Sequence, residues 1–147
     1  MNKFKFRYVT LFAFLIMGNV SLRALEATLS NQTDQDLQLS VTGQGEFGSS
    51  FNAPGDIFMR KGESRPWYFE HPESVNIKLN KIDGTNVKSI SMARNWHHNN
   101  VYEVTDLTQG PGWRQLLCSA SNHMPNSLTV TITGSDAAGF SVTCNFS

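Results

Sequence analysis

The chain has 147 residues, with twelve basic and twelve acidic side chains, so its formal net charge at neutral pH is zero. The charges are scattered and form no basic cluster, which excludes the electrostatic footprint of proteins that bind nucleic acid or anionic lipid. The length suits one compact domain. We therefore expect a single fold and neither of these polyanionic partners.

The first residues predict a signal peptide. Lys3, Lys5 and Arg7 give a positively charged start, an apolar run follows over residues 8–20, and small residues stand within 21–27. Ala24 and Ala27 are both suitable last residues of the signal; we take Ala27, which makes 1–27 the cleavable signal peptide and 28–147 the mature domain. Neither cut leaves a cysteine at the new N-terminus, so we expect no lipid anchor.

The expected destination follows from the same segment. The apolar run is shorter than the about 20 residues that a membrane-spanning helix needs, and no comparable run follows it, so we expect no membrane insertion after the signal is removed. The short, lysine-led signal is typical of bacteria. We therefore expect a protein that is secreted or periplasmic in a Gram-negative bacterium.

Beyond residue 28 the apolar residues recur with a period of two, which indicates β-strands rather than helices. No helical run of ten or more residues avoids the Gly, Pro and Asn breaks. About ten short strands are expected, near residues 28–31, 37–42, 56–60, 65–70, 75–82, 86–92, 100–105, 113–119, 128–133 and 140–146. This pattern predicts an all-β fold, an antiparallel β-sandwich, with a small β-barrel as the alternative.

One hairpin can be predicted residue by residue. The Asp-Gly pair at 83–84 is typical of a two-residue turn, with Ile82 opposite Thr85 on either side of it. Counting outward from that pair places apolar residues of both strands on one face: Ile77 opposite Ile90, and Val75 opposite Met92.

The two cysteines, Cys118 and Cys144, are expected to form a disulfide, because an even count in an exported chain indicates oxidation. Their spacing excludes a redox-active Cys-x-x-Cys motif. Cys144 is in phase with the apolar residues of its strand, so the bridge should lie in or beside the core. The chain-entropy model gives such a bridge about 3 to 4 kcal/mol of stabilisation.

Motifs for catalysis, cofactors and metals are weak. Gly43, Gly45 and Gly48 fit the dinucleotide pattern, but no helix follows them to hold a pyrophosphate, so we expect a loop. His97 and His98 are adjacent, and neither they nor the acidic residues show the spacing of a metal site. No Gly-x-Ser-x-Gly elbow occurs, and no carboxylate pair can be singled out. We expect no cofactor, no metal and no catalytic residue.

The aromatic residues are the most suggestive candidates for binding. Trp67 and Phe69 should share one face of a strand, with Tyr68 on the other. Aromatic side chains left exposed beside polar groups can stack on sugars or contact a protein partner, whereas the alternative is that the tryptophans fill the core. The candidate ligand-binding residues are Asn95, Trp96, His97, His98 and Trp113.

We therefore expect an exported, non-catalytic binding module that recognises a carbohydrate or a protein surface through loop aromatics. The alternatives are a host-directed or envelope interaction protein without a small ligand, and a small secreted hydrolase. Strand edges leave the oligomeric state open. The glycosylation sequons at Asn31 and Asn145 would matter only in a eukaryotic secretory pathway, so we treat them as incidental.

Overall fold

A computed structural model describes residues 24–45, 52–70, 72–110 and 112–147 of the chain. The expected signal segment lies outside the described residues up to position 23, as do Gly48 and His71. The described part is all β and contains no helix, and so none that could cross a membrane. Its ten strands are β1 Ala24–Thr33, β2 Leu37–Gly45, β3 Gly55–Met59, β4 Ser64–Glu70, β5 Pro72–Lys81, β6 Asn86–Asn95, β7 Val101–Asp106, β8 Gln115–Ser119, β9 Ser127–Ser135 and β10 Gly139–Phe146.

The strands form two sheets, and the predicted sandwich is confirmed. One sheet has the order β10-β9-β1-β4 and the other the order β3-β2-β5-β6-β7-β8. Neighbouring strands are antiparallel, as predicted, except β1 and β9, which are parallel. The sheets do not join into a closed barrel, so that alternative is wrong. The alternating apolar residues of both sheets face inward and form one core, which includes Leu29, Leu39, Phe69, Leu79, Val104 and Ile132.

The hairpin of β5 and β6 confirms the predicted register away from the turn and corrects it at the turn. Val75 lies opposite Met92 and Ile77 opposite Ile90, but a bulge between Leu79 and Asn80 shifts the pairing by one residue. The connection is therefore a three-residue loop, closed by a bond from the Lys81 amide to the Thr85 carbonyl at 2.8 Å. Gly84 has a φ of +87°, the left-handed conformation that ends such a loop with a bulge.

β2 is longer than the sequence suggested. Gly43 and Gly45, which we expected in a loop, are paired with Val75 and Pro72 of β5. Glycine contributes no side chain to the pattern, so the alternation could not reveal that its backbone continues the ladder.

The two long sides of the sandwich are closed in different ways. On one side the predicted disulfide joins β8 to β10, with 5.8 Å between the Cα atoms of Cys118 and Cys144. On the other side the chain crosses between the sheets in the turn from β3 to β4. This turn is tied to the wholly buried Asn31 of β1, whose backbone bonds to Glu63 and Gly62.

The Asn31 side chain is hydrogen-bonded at both of its polar atoms. Its amide nitrogen donates to the carbonyl oxygens of Gln35 at 3.0 Å and Arg60 at 3.1 Å. Its Oδ1 accepts from the backbone amide and the hydroxyl of Thr33. A buried amide saturated in this way fixes the turn to the sheet, because any displacement would strand a polar group away from water.

The free edge of β4 is protected against pairing with another strand. Pro66 has no amide hydrogen to offer there. Further along the same edge, the Asn52 side chain donates to the Tyr68 carbonyl at 2.9 Å and accepts from the Glu70 amide at 3.2 Å. These are the two groups that a neighbouring strand would use, so this edge is a poor template for dimerisation.

Candidate functional site

The tryptophans occupy three different environments. Trp67 is half-buried against the core beside the buried Phe69, and Tyr68 points outward, which confirms the predicted division of this strand between two faces. Trp96 and Trp113 instead lie in loops, with 57% and 71% of their surface exposed. The two loop tryptophans do not fill the core.

Trp113 borders a cavity of about 230 Å³ at one end of the six-stranded sheet. The cavity lies where β6 begins and β7 ends, below the loop that leads from β7 to β8. Apart from Trp113, polar side chains line it: Lys88, Asp106, Thr108, Gln109, Arg114 and Gln115. An exposed indole beside polar side chains offers a ligand both a stacking surface and hydrogen-bond partners.

The floor of this cavity is an ion pair at the rim of the core. Lys88 and Asp106 share the inward face of their strands with the buried Ile90 and Val104, and their side chains are only 19% and 13% exposed. The Lys88 Nζ donates to Asp106 Oδ2 at 2.9 Å. Burial raises the pKa of Asp106, but hydrogen bonds from Thr108 and Lys88 outweigh that effect, so the pKa lies below its ordinary value and the carboxylate is charged.

The loop that carries Trp113 is held by a chain of short-range bonds. Asp106 Oδ1 accepts from both the amide and the hydroxyl of Thr108, and that hydroxyl accepts from the Ser89 amide at 3.0 Å. The Gly110 amide donates to Leu107 at 2.9 Å, and the Trp113 amide donates to Gly110 at 3.1 Å. These bonds hold the described residues of the loop that carries the indole.

Trp96 lies in the turn between β6 and β7, residues 96–100, together with the exposed His97 and His98. The Asn95 side chain accepts from the His97 amide at 3.1 Å. Asn99 and Asn100 have φ values of 53° and 56°, a left-handed conformation that asparagine tolerates better than most residues. The turn has a defined shape, and its outer surface carries the indole.

The polar groups of this turn are used to hold it together. Asn95 Nδ2 donates to Glu103 Oε2 at 2.9 Å, and His98 Nδ1 lies 3.1 Å from Glu103 Oε1. These hydrogen bonds, the one from Asn95 first, lower the pKa of Glu103. Asn95 and His98, two of the candidate ligand-binding residues, therefore contact each other and Glu103.

The structure does not bring Trp96 and Trp113 together. Their loops lie at opposite ends of the ten-residue strand β6, and at about 3.3 Å per residue this separates them by roughly 30 Å. The candidate residues thus divide into two sites, with Asn95, Trp96, His97 and His98 in one and Trp113 in the other.

Sequence reasoning assigned no binding role to most residues around Trp113, yet one signal for them was present. Lys88 is in phase with Ile90 and Met92, and Asp106 is in phase with Tyr102 and Val104, so both charges occur at inward positions of their strands. A lysine and an aspartate at inward positions of neighbouring strands indicate a buried ion pair.

A second, wider depression lies along the edges of β3 and β4. It is lined by Phe58, Trp67, Arg60, Lys61 and Arg65, among others. Arg65 is paired with Glu63, whose carboxylate also accepts from the Arg60 amide, and this hydrogen bond lowers the pKa of Glu63. Because the depression is wide open, we favour the cavity at Trp113 as the candidate ligand site.

Within the described ranges, no group of three or more His, Cys, Asp or Glu side chains is arranged to hold a metal ion. His123 is exposed in the loop before β9, far along the chain from the pair at 97–98.

The chain matches no protein-family model, and no curated protein is significantly similar to it in sequence.

Proposed function

We propose that this protein is an exported, non-catalytic module that binds carbohydrate at the Trp113 cavity. The observation that carries the proposal is an indole, 71% exposed, on the wall of a polar cavity. Sugar rings have an apolar face that stacks on an aromatic ring and a rim of hydroxyls that need hydrogen-bond partners. Trp113 supplies the first and the lining residues supply the second.

The size of the cavity suits one sugar ring. Its volume of about 230 Å³ is below the range of roughly 300 to 1,000 Å³ that encloses a drug-sized ligand. A longer glycan would place one ring in the cavity and extend across the surface. The module would then recognise the end of a chain or a protruding unit of it.

The polar lining is rich in hydrogen-bond donors. Both oxygens of Asp106 already accept bonds from Lys88 and Thr108. Lys88 and Arg114 offer additional N–H groups, and the amides of Gln109 and Gln115 can both donate and accept. This lining complements the oxygen atoms of a sugar.

The disulfide supports export as part of the proposal. Cys118 and Cys144 are bridged, and such bridges persist in the periplasm and outside the cell, where the medium is oxidising. Glycans are abundant at both locations.

The test is a glycan array on the purified, oxidised protein, with Trp113→Ala as the variant and Trp96→Ala as the matched control. Both substitutions remove one exposed loop indole, so neither is expected to unfold the domain. We expect Trp113→Ala to weaken binding by about tenfold or more, because ring stacking contributes on the order of 1 kcal/mol beyond the buried area. Trp96→Ala should bind as the wild type does. Absence of glycan binding, or equal loss in both variants, would contradict the proposal.

A second candidate function is protein recognition through Trp96. The observation that favours it is an exposed indole on a turn of defined shape, since exposed tryptophans on ordered backbone are common anchors of protein interfaces. The same pair of variants distinguishes the two functions: a protein partner captured by the wild type would be lost on Trp96→Ala and kept on Trp113→Ala.

A further inference from the structure

We infer that the signal peptide is removed after Ala24, so that Leu25 becomes the first residue of the mature protein. The inference rests on the export that forms part of the proposed function. It decides between two cleavage points that the local sequence leaves equal, because an alanine precedes both scissile bonds and a leucine stands two residues before each alanine.

The core requires the residues between the two cleavage points. Leu25 and Ala27 are 3% and 2% exposed and belong to the same inward row as Leu29. Leu25 lies opposite the buried Phe69, and Ala27 lies between Trp67 and Leu128. A cut after Ala27 would remove both side chains and leave an empty space in the packed interior, one of the most destabilising changes that a domain can undergo.

The four-stranded sheet requires the same residues for its backbone bonds. β1 is an interior strand, with β4 on one side and β9 on the other. The half of β4 from Trp67 to Glu70 is paired with 24–27 in this sheet, and its free edge is covered by the side chain of Asn52. A chain that starts at Thr28 would leave this half of β4 without its neighbouring strand.

The strand pairing around Ala27 points to the same bond. In the folded domain the peptide bond after Ala27 lies inside the sheet, between two hydrogen-bonded strands. Leu25 is the first described core residue of β1, and the bond after Ala24 precedes it. Cleavage after Ala24 removes only the first residue of β1, with its pairing to Glu70, and leaves residues 25–33 in the sheet.

The experiment is expression of the full chain in a Gram-negative host, followed by intact mass measurement and N-terminal sequencing of the exported product. Neither readout depends on folding. We expect a single species that begins at Leu25. A product that begins at Thr28 would overturn the assignment while leaving export intact, whereas an uncleaved chain would overturn the assignment and the expectation of export together.

The variant Ala24→Lys gives an independent check, because a large charged residue directly before the scissile bond prevents cleavage there. We expect the product that begins at Leu25 to be lost. If the wild-type chain is cut after Ala27 instead, the substitution lies three residues upstream of the residue before that bond, and a product beginning at Thr28 in equal amount from the wild type and the variant would overturn the inference.

Discussion

Trp96 and Trp113 are both exposed indoles in loops adjoining β7, but their surroundings differ. Around Trp96 the polar side chains of Asn95, His98 and Glu103 bond to one another and hold the turn. Around Trp113 an ion pair forms the floor of a cavity, and further polar side chains line it. The polar groups beside Trp96 are thus occupied with one another, whereas the cavity at Trp113 can enclose a ligand from more than one side. Exposure alone therefore does not identify a small-ligand site.

The largest effect that separates the two regions should come from the disulfide. Among the described strands of its sheet, β8, which follows the Trp113 loop, pairs with β7 alone, and the bridge ties it to β10. Replacing Cys118 and Cys144 by serine should lower the free energy of unfolding by about 3 to 4 kcal/mol. Urea unfolding measures this loss.

Amide hydrogen exchange on the same double variant shows where the loss is felt. Exchange should accelerate more in β8 than in the turn at Trp96, whose bonds from Asn95 to Glu103 are untouched. Equal acceleration in both places would mean that the disulfide stabilises the two regions alike and that the comparison fails.

A smaller effect should come from the ion pair. Asp106→Asn keeps the shape of the side chain but removes the charge that faces the largely buried Lys88. We expect a loss of about 2 kcal/mol, below the value for a fully buried pair because the site retains some solvent contact. Glu103→Gln, the matched change at the Trp96 turn, should cost about 0.5 kcal/mol, since its partner His98 is exposed. Equal urea midpoints for the two variants would contradict this ranking.

The smallest effect is the dependence of stability on pH. The pKa values of Asp106 and Glu103 both lie below their ordinary values of 3.8 and 4.5. Each charged carboxylate therefore stabilises the fold fully above its ordinary pKa, and the contribution is lost as the pH falls through the lower pKa of the folded state. Unfolding measured from pH 6 to pH 2 should show a shallower decline for Asp106→Asn than for the wild type. Parallel declines would show that Asp106 contributes nothing to the acid sensitivity.

Much of the fold could be predicted from sequence, because a strand with one buried face alternates its side chains. The pairs Val75 with Met92 and Ile77 with Ile90 are found as predicted. The predicted two-residue turn between them was wrong. A bulge between Leu79 and Asn80 shifts the pairing by one residue, and the apolar pattern near the turn does not reveal that shift. The Asp-Gly pair fits a two-residue turn as well as a three-residue loop with a bulge, and the sequence does not show which of the two forms.

The site was harder to predict than the fold. Trp96 and Trp113 both follow polar or glycine-rich residues, so nothing local distinguishes a turn whose polar groups bond to one another from the wall of a cavity. That difference depends on Lys88, which reaches the cavity from a strand about twenty-five residues earlier in the chain. The only sign of it in the sequence was that Lys88 and Asp106 occupy inward positions of their strands. The pairing of β6 with β7 had to be known before the two charges could be placed together.

The saturated amide of Asn31 has a consequence for how this protein can be produced. Asn31 is the acceptor residue of one of the two glycosylation sequons. Asn145, which is exposed on β10, is the acceptor residue of the other. In a eukaryotic secretory pathway the glycosylating enzyme acts on the emerging chain before it folds. A glycan on Asn31 would occupy the space where the turn from β3 to β4 packs against β1. Chains modified at Asn145 could still fold, whereas chains modified at Asn31 would be retained and degraded. Yeast or insect cells are thus a poor choice of host, and a bacterial periplasm, which forms the disulfide and attaches no such sugar, is the better one.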